Sequence, residues 1–433
     1  MPFSELGLGP QILQAIQDAG YTEPTPIQAA AIPQIIAGHD LIGIAQTGTG
    51  KTAAFTLPIL AQLSKTEGLG TGKVRAIRAL ILAPTRELVV QIEENVRAYA
   101  KHLPLRMTTI YGGVSERPQI EALRLGVDLI VATPGRLLDL MGGRLADFAG
   151  LNFLVLDEAD RMLDMGFLPS IRRIIRSLPV KRQTLLFSAT LSREIEVLSR
   201  EFLRNPKSVE IGRRANPAET VTQLVYEIPQ HLKPSLLVHI LRDPGLNTVL
   251  VFTRTKHGAD RISRKLQSHK IPTATLHSNR SQSQRLKALK DFKSGEVRVL
   301  VATDIAARGI DVDGISHVVN YDFPLHSEDY VHRIGRTGRA QAIGDAISFV
   351  TPDDQGALRS LERFIGRGIV RKRADGFDYS AAPPQFIAAV TGRPARPSYG
   401  DGGDGPARGG GRGGPRGSGG GGPRSGAWKP RSR

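Results

Sequence analysis

Apolar residues recur along this chain in short, uninterrupted runs separated by longer segments of mixed, helix-compatible character. The first series comprises LILAPT (80–85), DLIVATP (128–134), FLVLDEAD (153–160) and TLLFSAT (184–190). The pattern resumes with TVLVFT, TATLH, VRVLVATD, HVVNYD and AISFV between residues 248 and 350. These runs are continuous in Val, Ile and Leu and do not alternate with polar residues, so they predict strands buried on both faces of a parallel sheet. Strands alternating with helices give an α/β, doubly wound class. The polar stretch around GRRANPAETVTQ (212–223), with a proline and no apolar period, reads as an interdomain linker. DLIVATPGR and RVLVATDIAARG resemble one another, which predicts that the two halves share a fold.

Length and composition agree with two domains and a tail. A chain of 433 residues exceeds one ordinary domain. From about residue 380 Pro, Ala and Gly dominate, and such a segment buries too little apolar surface to offset its ordering entropy, so a disordered tail is expected. There is no cysteine, which excludes disulfides and thiolate metal sites and fits a reducing cytoplasm. The N-terminus lacks a basic region followed by an apolar run, and no stretch approaches the ~20 apolar residues of a membrane span, so no membrane partner is expected. The net charge of +17 points to a polyanion. From residue 391 onward there are nine Lys or Arg against two Asp, so both the tail and the remainder are basic.

Two motifs carry chemistry. AQTGTGKT (45–52) follows the apolar run LIGI and precedes a helix-compatible segment. Backbone N–H groups of such a glycine-containing loop can cradle phosphates, Lys51 can reach the β and γ oxygens, and the Thr52 hydroxyl can hold magnesium. The strict phosphate-loop pattern begins with Gly where Ala45 stands here. LVLDEAD ends an apolar strand with carboxylates at 157, 158 and 160. Alone it would read equally as a solvated acidic turn. With a phosphate loop about a hundred residues upstream, Asp157 reads as a second magnesium anchor and Glu158 as the group that orients and deprotonates a water.

With these motifs the chain resembles the DEAD-box family of ATP-dependent RNA helicases over roughly residues 3–375, and about ten short motifs occur in family order. The resemblance implies two RecA-like parallel-sheet domains in tandem, with ATP and Mg2+ as cofactors and RNA, held by its backbone without sequence specificity, as partner. GYTEPTPIQ (20–28) is similar to the family's Q motif, with Phe3 at the expected upstream place. By that resemblance Gln28 reads the adenine edge and Phe3 packs on the ring. Ala45, Gln46, Thr47, Gly48, Thr49, Gly50, Lys51 and Thr52 would hold the triphosphate, and Thr52 and Asp157 the magnesium, partly through water. Asp160, Ser188, Ala189, Thr190 and His332 would couple hydrolysis to strand separation. Asp304 would complete the ATP site, with Arg336 and Arg339 as arginine fingers. RNA contacts are implied for Pro84, Thr85, Arg86, Gly112, Gly113, Thr133, Pro134, Gly135, Arg136, Gln282, Arg285 and Thr303. Ser278 departs from the family's common Gly after His277, which bears on that loop's backbone contact. The short N-terminal extension and the Arg/Gly tail are similar to the bacterial RhlE-like subgroup.

The expected division is 1–29 Q-motif region, 30–210 ATP-binding domain, 211–221 linker, 222–378 C-terminal helicase domain and 379–433 basic tail. A check independent of the resemblance comes from sheet physics. Ligands of open α/β sheets bind beyond the carboxyl ends of strands, and residues 47–52, 84–86, 133–136, 157–160, 188–190 and 303–304 all follow apolar runs. Arginines of the second domain reach a phosphate held by the first only on closure, so hydrolysis should require closure and RNA across the cleft should promote it.

Other residues receive plainer readings. The ten histidines have no metal-ligand spacing. Asp311 and Asp313 read as a polar turn, and Arg172, Arg173 and Arg176 as a solvated helix face. Aromatics are 5% of the chain and do not interleave with basic residues, which argues against base-stacking platforms. The expected activity is RNA-dependent ATP hydrolysis coupled to unwinding of short duplexes or remodelling of RNA–protein complexes, such as ribosome-assembly or RNA-decay particles. An ATP-gated RNA clamp without productive unwinding and a DNA helicase of a related branch are the competing readings.

Overall fold

A computed structural model of the chain describes residues 2–45, 48–65, 75–143, 145–211, 221–307, 312, 314–338 and 344–382. The chain divides into a compact unit Met1–Pro383 and a second unit Pro384–Arg433, and the second lies wholly outside the described residues.

Met1–Pro383 carries two parallel sheets. The first contains β1 (Leu41–Ile44), β2 (Ala79–Leu82), β3 (Met107–Ile110), β4 (Leu129–Ala132), β5 (Phe153–Leu156), β6 (Gln183–Ser188) and β7 (Lys207–Glu210), in the order β3-β4-β2-β5-β6-β1-β7. The second contains β8 (Val221–Glu227), β9 (Val249–Thr253), β10 (Thr273–Leu276), β11 (Val299–Thr303), β12 (His317–Asn320), β13 (Gly344–Val350) and β14 (Val370–Arg371), ordered β10-β11-β9-β12-β13-β8-β14. The second order is the first with every strand advanced by seven, so the halves share a topology. DLIVATP forms β4 and RVLVATD forms β11, which hold equivalent places in the two sheets. The short internal resemblance therefore marks a structural repeat.

The central strands are buried on both faces, as their continuous apolar runs predict. Successive side chains of one strand point to opposite faces and enter different cores. Ala79, Ile81, Leu129, Val131, Phe153 and Val155 join the cluster beneath the helices Pro26–Ile36, Lys51–Lys65 and Arg86–Tyr99. Leu80, Leu82, Ile130, Ala132, Leu154 and Leu156 join the opposite cluster beneath Pro134–Gly142 and Leu168–Arg176. The second sheet repeats the arrangement, with Val249, Val251, Val299 and Val301 on one face and Leu250, Leu300 and Ala302 on the other.

Val221, the last residue assigned to the linker, is instead the first residue of β8, buried and in register with Gly344 of β13. Its neighbours Thr222 and Gln223 continue that strand, whose alternating pattern conceals it among polar residues. Ile211, the first linker residue, donates its N–H to the Ile44 carbonyl at 3.1 Å, and residues 212–220 lie outside the described residues. Among the described residues no helix is long and apolar enough to cross a membrane.

Candidate functional site

All paired strands of each sheet are parallel, so their carboxyl ends share one edge, and the candidate residues gather there. The loop after β1 leads directly into the helix Lys51–Lys65. Ala45 N–H donates to the Ser188 carbonyl at 3.0 Å, which ties the start of the loop to the end of β6. Gly48 and Gly50 have φ of 80° and 91°, conformations that cost a side-chain-bearing residue strain. A Cβ on Gly50 would also stand 2.4 Å from Gln28 Nε2. Lys51 is buried, and its ammonium has no hydrogen-bond partner. A buried cation in that state is suited to an anionic ligand. Gln46 and Thr47 lie outside the described residues.

Asp157 and Glu158 follow β5 and are both buried. Burial, reinforced by the charge of Glu158 and opposed by Lys51, pushes the Asp157 carboxyl up to about 7. Burial also works against the Glu158 carboxylate, but Arg161, Lys51 and Arg336 hold it below its ordinary value. Glu158 accepts from Arg161 Nη1 at 2.6 Å and sits in the left-handed region with φ of 50°, at a cost of ~1–2 kcal/mol for a residue with a Cβ. This turn points two adjacent carboxylates into the same cleft. Lys51, the half-buried Thr52 and Asp157 together offer one cation and oxygen donors of the kind that a triphosphate and a hard divalent ion require.

Asp160 reaches the end of β6. Its Oδ2 accepts from Ala189 N–H at 3.0 Å, Thr190 N–H at 3.2 Å and the Thr190 hydroxyl at 3.4 Å. The loop after β5 is thereby bound to the loop after β6, with Ser188 buried between them.

A cavity of about 390 Å³ extends from Gly48, Gly50, Lys51, Thr52, Asp157 and Glu158 to Gln28, Tyr21, Tyr99 and Lys293. Gln28 lines it, but its amide is already engaged. Its Oε1 accepts from Thr25 N–H at 3.0 Å, and its Nε2 donates to the Gly50 carbonyl at 3.2 Å. The first bond belongs to a capping box on the helix Pro26–Ile36, and the second fastens that helix to the phosphate loop. Phe3 is not brought to the cavity wall. It is buried in the core cluster, and the aromatic lining comes from Tyr21 and Tyr99, whose hydroxyls are 3.1 Å apart.

The remaining edge of the first sheet gathers the other candidates. Pro84 and Thr85 follow β2, and the Thr85 hydroxyl caps the helix Arg86–Tyr99 by accepting from Leu88 N–H at 3.3 Å. The Arg86 guanidinium lies against the Gly112–Gly113 turn. A Cβ on Gly113, whose φ is 80°, would stand 1.8 Å from Arg86 Nη1, so this approach requires glycine. Thr133 holds the N-cap position of the helix Pro134–Gly142 without a side-chain capping bond, Gly135 is exposed at its start, and Arg136 Nη1 is buried without a partner.

The second domain faces this edge. Gln282 Nε2 donates to Glu87 Oε1 at 2.9 Å, and Arg285 Nη2 lies 3.1 Å from Glu87 Oε2. Both are therefore held against the first domain. Crowding by the surrounding protein holds His332 below its ordinary value, against the pull of Asp160 across the cleft. Thr303 ends β11 and Asp304 follows it, with both carboxylate oxygens bound by Arg333 at 2.6 and 2.7 Å. Ser278 is absent from the described residues of positive φ, so its backbone does not demand glycine. Arg339, Asp311 and Asp313 lie outside the described residues.

Three residues of the site escaped the sequence reading: Glu87, Arg161 and Arg333. Each stands inside or beside a motif that was read, and each was identified only by its burial and partners. The capping box, by contrast, was available in Thr25-x-x-Gln28 before a proline-started helix.

Comparison with known proteins agrees with this geometry. The DEAD/DEAH box helicase family model matches residues 25–198, and the helicase conserved C-terminal domain matches residues 232–341. The chain is similar to DEAD-box ATP-dependent RNA helicase 30 of Arabidopsis thaliana, 44% identical over 93% of this chain and 66% of that protein. It is equally similar to the ATP-dependent RNA helicase RhlB of Pseudomonas syringae, 44% identical over 85% of this chain and 93% of that one. The structure of Saccharomyces cerevisiae Dbp5 bound to RNA and ADP BeF3 aligns with a TM-score of 0.75 at 31% identity, covering 86% of this chain and 95% of that chain. Two RecA-like domains in tandem, with both family models matched in order and relatives aligned along most of the chain, make this protein a member of the DEAD-box family of ATP-dependent RNA helicases.

Proposed function

We propose that this chain is an RNA-dependent ATPase that couples ATP binding and hydrolysis to local unwinding of short RNA duplexes or remodelling of RNA–protein complexes. The observation that carries the reading is the convergence on one cleft of the partnerless Lys51 ammonium, the paired carboxylates Asp157 and Glu158, and Arg336 of the opposite domain, whose charge acts on Glu158. In this reading Lys51 binds the β and γ phosphates, Glu158 takes the proton of the attacking water, and Arg336 and Arg339 stabilise charge on the γ-phosphate. Thr52 and Asp157 hold Mg2+, which when bound neutralises phosphate charge. Gln28 exchanges its bond to the phosphate loop for the adenine edge. Asp160 with Ser188, Ala189, Thr190 and His332 relays the state of the nucleotide, and Asp304 completes the site through its clamp to Arg333.

RNA backbone would run along Thr85, Arg86, Gly112, Gly113 and Thr133 to Arg136. The partnerless Arg136 Nη1 supports a phosphate there. The domain limits are those expected above, with the second domain beginning at Val221. The Arg/Gly-rich tail supports kinship with the bacterial RhlE-like subgroup, although bacterial and plant helicases at 40–44% identity do not separate subgroups. A cysteine-free composition supports a cytoplasmic setting, and particles of ribosome assembly or RNA decay are the proposed surroundings.

ATP turnover should be measured with no nucleic acid, with single-stranded RNA and with DNA, alongside unwinding of a short RNA duplex. Strong stimulation by RNA with duplex separation is expected. Stimulation by DNA alone would point to a DNA helicase, and RNA held through many minutes without phosphate release to a clamp.

A further inference from the structure

A groove of about 860 Å³ lies on the first domain, away from the nucleotide cavity. It is bounded by the last turns of the helices Pro134–Gly142 and Leu168–Arg176 and by the loop at Ala146–Ala149. A helix that follows a strand in a parallel sheet runs back along it, so these helix ends lie at the edge opposite the carboxyl ends of the strands. An occupant of the groove leaves ATP and RNA their own edge. The floor is apolar, formed by Leu138, Met141, Phe148 and Leu178. Over it stand Arg173 and Arg176, both exposed, and the exposed Asp147 also lines the groove, which leaves the rim net positive. Neighbouring Arg172 is bound to Glu201 at 2.8 Å, whereas Arg173 and Arg176 have no ion pair among the described residues.

We propose that this groove docks a short acidic peptide segment of a partner protein, with apolar side chains on the floor and carboxylates against Arg173 and Arg176. Its volume is within the ~300–1,000 Å³ of ordinary ligand pockets. Charge chooses among occupants. The chain's own tail, and that of a second copy, carry nine Lys or Arg against two Asp from residue 391 and would be repelled by two more arginines. RNA would suit the arginines but not the floor, whose open part is the aliphatic Leu138 and Met141, with Phe148 and Leu178 almost wholly covered, so no aromatic face is offered to a base. An acidic segment with apolar anchors satisfies both parts.

The full-length protein should be titrated with two fluorescein-labelled synthetic peptides. One spaces Leu and Phe three and four residues apart among Glu and Asp; the other replaces the apolar residues by Ser. The amphipathic peptide should bind more tightly. Arg173→Glu with Arg176→Glu should weaken it by ~10-fold or more, since juxtaposed like charges are costly. The charge-matched pair Arg264→Glu with Lys265→Glu on the second domain should not. A photo-crosslinker at the Phe position should label residues 138–149 and 173–180 of the unmodified chain, a readout that holds even if the variant folds poorly. Equal affinity of the two peptides, equal weakening by both double variants, or crosslinks elsewhere would overturn the proposal. Loss of RNA affinity in the Arg173/Arg176 variant with peptide binding unchanged would also overturn it, by marking the face as an RNA surface.

Discussion

At the residue scale, the site depends on a few side chains whose burial makes their charge expensive. Lys51→Ala is expected to abolish RNA-stimulated turnover, and activity within about twofold of the parent chain would refute the phosphate assignment. Glu158→Gln should keep ATP binding and lose hydrolysis, because the amide preserves shape but accepts no proton. Failure of that variant to bind nucleotide would remove Glu158 from the role of base. Asp157 allows a test by pH. Its carboxyl ionises at 3.8 in an ordinary setting and at about 7 in the fold. A carboxyl raised by folding opposes folding once ionised: the cost is absent below the lower value, grows between the two and is complete above the higher. Asp157→Asn should therefore raise the melting temperature of nucleotide- and metal-free protein by a few degrees near pH 8, and by less near pH 5. A gain equal at both pH values would trace the effect to packing.

At the element scale, the decisive contact is between the helices Arg86–Tyr99 and Gln282–Lys293, one from each domain. Glu87 is 2% exposed and binds Gln282 and Arg285 at once. Breaking a buried ion pair leaves the partner charge uncompensated. Glu87→Ala should accordingly lower RNA-stimulated turnover by ~10-fold or more while barely changing ATP affinity without RNA. An equal loss of RNA-free ATP affinity would show that Glu87 supports only the first domain. Legibility also divided by element. The central strands were readable because burial on both faces demands continuous apolar runs. Of the edge strands, β10 was readable in TATLH because it is largely buried, whereas β3, β7 and β14 were not: β3 alternates, β7 is Lys207–Glu210, largely exposed, and β14 spans two exposed residues.

At the scale of the whole molecule, the proposed reading divides catalysis between two domains and gives the tail a part in holding RNA. Arg336→Ala should cut turnover by a factor of ~10³–10⁵, as for arginine fingers elsewhere. RNA-free ATP affinity should change far less, and a comparable loss there would make Arg336 structural. The tail spaces Arg408, Arg412, Arg416, Arg424, Lys429, Arg431 and Arg433 among glycines, which suits a nonspecific RNA tether. Truncation after Ser380 should leave RNA-saturated turnover nearly intact, weaken RNA affinity and flatten its salt dependence by up to ~0.7 per lost single-strand phosphate contact. Identical affinities and slopes would dismiss the tether, and collapse of saturated turnover would place the tail in the active enzyme.

Sequence by itself determined the α/β class, the repeat between DLIVATP and RVLVATD, and the motif residues at the carboxyl ends of strands, because periodicity and glycine-rich loops are local properties. Tertiary structure alone decided which of those residues meet. Gln28 on the Gly50 carbonyl, Asp160 on Ala189 and Thr190, Glu87 between Gln282 and Arg285, and Arg333 clamping Asp304 join positions 22 to 198 residues apart. Their partners are chosen by how elements pack and by the need of each buried polar group for a hydrogen bond, neither of which a linear spacing encodes.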